Sequence, residues 1–145
     1  MNSPASSSAE PDPFALVPPG TALGPWVVTV SAAANERYWK AAGADSPLLA
    51  AGALYPPIAA NLTVLLFAQA CPEAMIQTRQ RLRCHRSEQA GTPLAVTGRV
   101  VGVFEKRGRR YVEVEAVVSA EARPDEPIWT SIATFTPTST LGVAT

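Results

Sequence analysis

Residues 55–70 form an almost unbroken apolar run, YPPIAANLTVLLFAQA, interrupted only by Asn61, Thr63 and Gln69. Pro56-Pro57 suits the first turn of a helix, where a missing N–H costs nothing, and Pro72 stops the helix. A helix apolar on nearly every side has to be surrounded, not laid on a surface. At about 15 residues, or ~22 Å, it is too short to span a bilayer comfortably. The surround is expected to be a sheet, because the second half of the chain alternates. Residues 76–86 read as a strand with Ile76, Thr78, Leu82 and Cys84 on one face. Gln77, Arg79, Arg81, Arg83 and His85 then fall on the other. Residues 94–106 and 110–120 read as a hairpin turning at Arg107-Gly108-Arg109, and residues 128–136 as a last strand.

Ahead of the apolar run, residues 26–30 form a short strand. Ser31 caps a helix over residues 32–42 that Gly43 ends, with Tyr38, Trp39 and Ala42 on its apolar face. Residues 43–55 form a loop. The pattern predicts an α+β fold: an antiparallel sheet wrapped around one long apolar helix. One sheet cannot cover every side of that helix, so a dimer with paired sheets is expected, the long helices near the interface. The domain is assigned to residues 21–137. Residues 1–20, rich in Ser, Pro and Ala, form a disordered or loosely packed tail, with 14–20 as an arm on the surface, and residues 138–145 a second tail.

Composition narrows the function classes. Twelve basic and twelve acidic residues cancel, which argues against a nucleic-acid partner. Cys71 and Cys84 are not spaced as metal ligands and read as free, buried thiols. With His85 the one histidine, a His-rich metal site is excluded, and neither a phosphate-binding Gly-rich loop nor a Ser-His-Asp arrangement occurs. No metal, cofactor or membrane partner is expected. Residues 1–20 lack the basic start and apolar run of a secretory signal, so a cytoplasmic location is the default.

Several stretches, in this order, resemble one family. They are Tyr38-Trp39-Lys40-Ala41-Ala42-Gly43-Ala44-Asp45-Ser46-Pro47-Leu48, Tyr55-Pro56-Pro57-Ile58, Arg83-Cys84-His85-Arg86 with Gly91-Thr92-Pro93-Leu94, and the hairpin from Gly98 through Val112. Over about residues 24–136 the chain is similar to the MaoC-like (R)-specific enoyl-CoA hydratases and (3R)-hydroxyacyl dehydratases, especially their N-terminal-type domains. The resemblance implies the hot-dog fold and an acyl thioester of coenzyme A or of a carrier protein as ligand. In that family a loop Gly-Asp-x-Asn-Pro-x-His supplies an Asp and a His for acid–base addition or removal of water. Here Gly43 and Pro47 match, but Ala44 replaces the Asp and Leu49 the His. Some family dehydratases are heterodimers in which one subunit lacks the pair and shapes the acyl tunnel of the other, and this chain resembles that kind of subunit.

The candidate site residues each have two readings. Asp45, one place from the family position, is either a displaced carboxylate or a turn residue capping a backbone N–H. His85 is either a proton carrier or a structural residue of its strand. Tyr55 either places a hydroxyl at a pocket mouth or packs. Free N–H groups at Ile58 and Ala59 would polarise a thioester carbonyl, unless the Tyr55 loop caps them. Asn61 either binds a ligand carbonyl or bonds to backbone or a dimer mate. Arg79, Arg81, Arg83 and Arg99 either meet phosphates or pair with Glu113 and Glu115 across strands. The basic tip, residues 106–110, is an exposed turn first and a docking patch for an acidic carrier protein second.

The leading expectation is a non-catalytic or weakly catalytic hydratase/dehydratase-family subunit, in a homodimer or in a heterodimer with another hot-dog protein. The alternatives are a stand-alone dehydratase, isomerase or cyclase using Asp45, Tyr55 or His85, and a small-ligand binding protein without catalysis.

Overall fold

A computed structural model describes residues 12–43 and 45–141; residues 1–11 and 142–145, most of the expected terminal tails, and Ala44 lie outside the described residues. In chain order the elements are β1 (Ala22–Val28), α1 (Ala32–Ala41), a short α2 (Pro47–Ala50), α3 (Ile58–Ala70), β2 (Met75–Cys84), β3 (Leu94–Lys106), β4 (Arg109–Ala120) and β5 (Pro127–Pro137). A 3-10 turn, Thr138–Leu141, follows β5. The strands form one sheet in the order β1-β3-β4-β5-β2, every pair antiparallel. The β3–β4 connection is the expected tight turn. Arg107 at φ 52° and Gly108 at φ 73° give the two positive φ values that match a turn's twist to the flanking strands.

The apolar run becomes α3. Its Ile58, Ala59, Leu62, Leu66 and Phe67 are buried against the inward face of the sheet, where Val96, Val100, Val112, Val114, Ala116 and Phe135 line up. Phe67 stacks on Phe135 with ring centroids 4.8 Å apart. Each such large side chain stabilises by roughly 1.5–3 kcal/mol relative to exposure. Thr63 is accommodated in the core because its hydroxyl donates to the Ala59 carbonyl one turn back, at 2.9 Å. Close approach of helix to sheet depends on Gly98 of β3. A Cβ there would lie 2.5 Å from the Glu115 carbonyl oxygen and 3.0 Å from Leu66 Cδ2.

One sheet leaves part of α3 uncovered, as expected: Asn61, Leu65, Ala68 and Gln69 are exposed, Leu65 by 50%. Several other expectations are corrected. The two-face reading of β2 fails at a bulge. Gln77 pairs with Phe135 and Arg79 with Thr134, so Thr78 is an extra residue and the alternation shifts by one. Ile76 consequently points outward and is exposed, while Met75 and Leu82 pack on the core. On α1 the buried positions are Asn35 and Trp39, not Tyr38 or Ala42, which are exposed. Cys84 is exposed because it ends the edge strand, whereas Cys71 is buried and both thiols are free. The loop after α1 contains α2, started by Ser46, whose hydroxyl accepts from the Leu48 N–H, and by Pro47 in the first turn. The arm before β1 reaches past the surface: Phe14 and Val17 belong to the core cluster. Asp12 accepts from the Phe14 N–H at 3.0 Å and pairs with Arg110.

Candidate functional site

The loop between α1 and α3 is anchored from both sides. On α1, Asn35 and Trp39 are four residues apart and share a face. The Asn35 amide and the Trp39 indole N–H both donate to the Ala53 carbonyl, each at 2.9 Å. Asn35 Oδ1 accepts from the Tyr55 N–H at 2.8 Å, so this buried side chain reads both sides of residue 54. From the other side, Leu54 donates to the Glu88 carbonyl and Ala90 to the Gly52 carbonyl. The Tyr55 ring packs edge-on to Trp39, 4.9 Å between centroids, and parallel to Tyr38 at 6.4 Å. Asn61 donates to the Tyr38 hydroxyl at 3.5 Å.

Where this anchored loop passes over the end of β2 it leaves an open cavity of about 270 Å³. Leu48, Ala53, Leu54, Pro56 and Trp129 give it an apolar side, and Cys84, His85, Arg86 and Ser87 line the rest. The His85 backbone N–H donates to the Ile128 carbonyl at 2.8 Å, and its Nε2 lies 3.0 Å from Thr130 Oγ1. The apolar side suits an apolar chain, while the side formed by His85, Arg86 and Ser87 is polar.

Among the sequence candidates, His85 lines this cavity and Tyr55 does not. Tyr55 is half-buried, and its ring packs in the aromatic cluster. Asp45 is exposed and makes no side-chain hydrogen bond or ion pair with another described residue, so it caps no turn. Ala44 lies outside the described residues. Leu49 borders a separate hollow of about 310 Å³ between α1 and α2. Ile58 and Ala59 are buried, and their N–H groups are already taken by the carbonyls of Tyr55 and Pro56, at 3.0 and 3.1 Å. The loop therefore caps this helix end, and its first amides are not free to polarise a carbonyl. Arg99 pairs with Glu115 at 3.5 Å, but Arg79, Arg81 and Arg83 form no ion pair with a described residue. The described residues contain no group of three or more His, Cys, Asp and Glu side chains able to hold a metal, and no helix long and apolar enough to cross a membrane.

Sequence reasoning missed the Asn35–Trp39 anchor and the cavity residues Leu48, Cys84 and Trp129. The four-residue spacing of Asn35 and Trp39 was a visible signal, since a polar residue on a buried helical stripe needs a partner.

No family model and no curated protein sequence matches the chain. Solved structures do. A chain of the HadBC (3R)-hydroxyacyl-ACP dehydratase complex from Mycobacterium tuberculosis superposes with a TM-score of 0.68 at 17% identity, over 81% of this chain and 96% of that one. The (R)-hydratase PhaJ1 from Pseudomonas aeruginosa gives 0.69 at 17% identity, over 86% and 84%. This is the hot-dog fold. A chain of the ChsH1–ChsH2 complex, also from M. tuberculosis, matches the same hot-dog framework at 0.65 and 12% identity, over 81% and 96%. The hot-dog helix is α3, and the anchored loop with its cavity sits at the N-terminal end of that helix.

Proposed function

We propose that this hot-dog chain belongs with the MaoC-like hydratases and dehydratases and binds an acyl thioester of coenzyme A or a carrier protein. Its role is that of a non-catalytic or weakly catalytic subunit, which helps wall the acyl tunnel of a partner carrying the Asp/His pair. The observation that carries this reading is the acid–base inventory around the anchored loop. The two family positions hold Ala44 and Leu49, neither able to transfer a proton. The remaining candidates do not assemble into a substitute: Asp45 has no described partner, and the His85 ring is engaged with Thr130. What remains is a cavity whose side formed by Leu48, Leu54, Pro56 and Trp129 suits an apolar chain. The heteromeric hot-dog complexes among the similar structures support pairing with a second hot-dog protein.

Hydration of crotonyl-CoA by the purified chain tests this directly. Turnover at the background rate is expected, with activity appearing on addition of a pair-bearing hot-dog partner. Turnover by the chain alone at the rate of a pair-bearing hydratase overturns the proposal. If that turnover were also lost in Asp45→Ala or His85→Ala, the stand-alone enzyme would replace it.

A further inference from the structure

Among the described residues the sheet ends in β1 on one side and β2 on the other, so one flank of each strand has no strand beside it. β1 is a poor template. It has seven residues, its register shifts between Leu23 and Trp26, and Pro25 offers no N–H. β2 has ten residues and keeps regular register from Arg79 to Cys84. On its outward face stand Arg79, Arg81 and Arg83, all exposed and none ion-paired with a described residue. Their neighbours on β5 are Thr134, Ile132 and Thr130, which carry no charge. The carboxylates of this face, Glu113 and Glu115, stand one strand further in, on β4, and Arg99 engages Glu115.

This arrangement selects among strands that could add to the edge. Two copies of β2 pairing antiparallel about Arg81 would set Arg79 opposite Arg83, Arg81 opposite Arg81, and Arg83 opposite Arg79. Shifting the pairing by two residues either way, which keeps the faces matched, still leaves two arginine–arginine pairs. Like charges directly opposite each other repel at Cβ separations of ~5 Å. A strand with carboxylates at alternate positions would meet each arginine with its complement and supply backbone partners.

We infer that β2 is a docking edge for a partner strand bearing Asp or Glu at alternate positions, and that its arginine row excludes a second copy of this chain. The inference rests on the proposed pairing with a second protein and not on the acyl chemistry.

The charge-reversed chain R79E/R81E/R83E is the probe. Sedimentation equilibrium at about 50 mM salt compares wild type, the variant, and their equimolar mixture. The mixture is expected to associate at least tenfold more tightly than either component alone. That excess should shrink as salt is raised to about 0.5 M and the Debye length falls. Association through any other surface contributes equally to all three samples. A mixture that associates no more tightly than wild type alone overturns the inference. The neutral variant R79T/R81T/R83T guards against misfolding of the probe: it should self-associate more than wild type, and no increase overturns the inference as well. Neither readout involves a thioester, so failure here leaves the acyl-binding proposal to its own assay.

Discussion

Asn35 and Trp39, one turn apart on α1, donate hydrogen bonds to the same acceptor, the carbonyl oxygen of Ala53. Asn35 also accepts from Tyr55, so its replacement strands a backbone N–H beside the cavity loop. Asn35→Ala should destabilise by about 1–3 kcal/mol, the cost of an unsatisfied buried group. Trp39→Phe should cost less in hydrogen bonding, because Asn35 still serves Ala53. A double-mutant cycle read by urea denaturation should give a coupling energy of at least about 0.5 kcal/mol.

Gly98 and Leu66 give a second test. Gly98→Ala should destabilise by about 1–3 kcal/mol, as overpacking does. The closer obstacle is the Glu115 carbonyl oxygen at 2.5 Å, not the Leu66 methyl at 3.0 Å. Adding Leu66→Ala should therefore fail to rescue Gly98→Ala, and should add a cavity cost of its own of about 2–5 kcal/mol. Thermal melts of the three variants decide this.

The two thiols should react in sequence. Burial pushes the Cys71 thiol above its ordinary range, the nearby Glu73 charge adding a smaller push that a backbone hydrogen bond opposes. Cys84 is exposed at the end of the edge strand. One equivalent of a maleimide should react quickly with native protein, and Cys84→Ser should abolish that phase. The sign of the linkage follows from the raised value: the folded state holds the Cys71 proton longer than the unfolded chain. Its contribution to stability is complete below the unfolded thiol pKa of about 8.5 and declines as pH rises above it. Cys71→Ala should flatten that alkaline decline in denaturation midpoints measured between about pH 8 and 10.

Filling the cavity should separate ligand binding from folding. Leu48 is 46% exposed at the rim of the ~270 Å³ space, so Leu48→Trp can occupy it without entering the core. Under the proposed function, calorimetric titration with crotonyl-CoA should show affinity lowered at least about tenfold, or ~1.4 kcal/mol. The melting temperature should stay within a few degrees of wild type.

The backbone of this fold was legible because α3 is unusual in composition and β4 alternates from Tyr111 to Val118. The bulge at Thr78 was not. Arg79, Arg81 and Arg83 continue the same odd-numbered polar spacing as Gln77 across it, so only pairing with Phe135 and Thr134 reveals the shift. Asn35 escaped for a different reason. Its partners are backbone groups of residues 53 and 55, far away in sequence, and a carbonyl or amide leaves no mark in residue type. The site candidates were found as residues but not as an ensemble. Tyr55, Ile58 and Ala59 serve the packing and capping of the loop and helix, while His85 turns to Thr130.

The segment before β1 has a practical bearing on anyone who shortens this protein. Cutting at residue 20, where composition marks the end of a tail, removes Phe14 and Val17 from the inside of the hot-dog domain. It also takes away Asp12, which Arg110 meets beside the β3–β4 turn, and the Pro13 carbonyl against which Cys71 lies. Phe14 and Val17 thus work as part of the core between α3 and the sheet, not as a tail. A chain trimmed to its apparent domain would expose Cys71, at the C-terminal end of α3, to water, and expression would suffer.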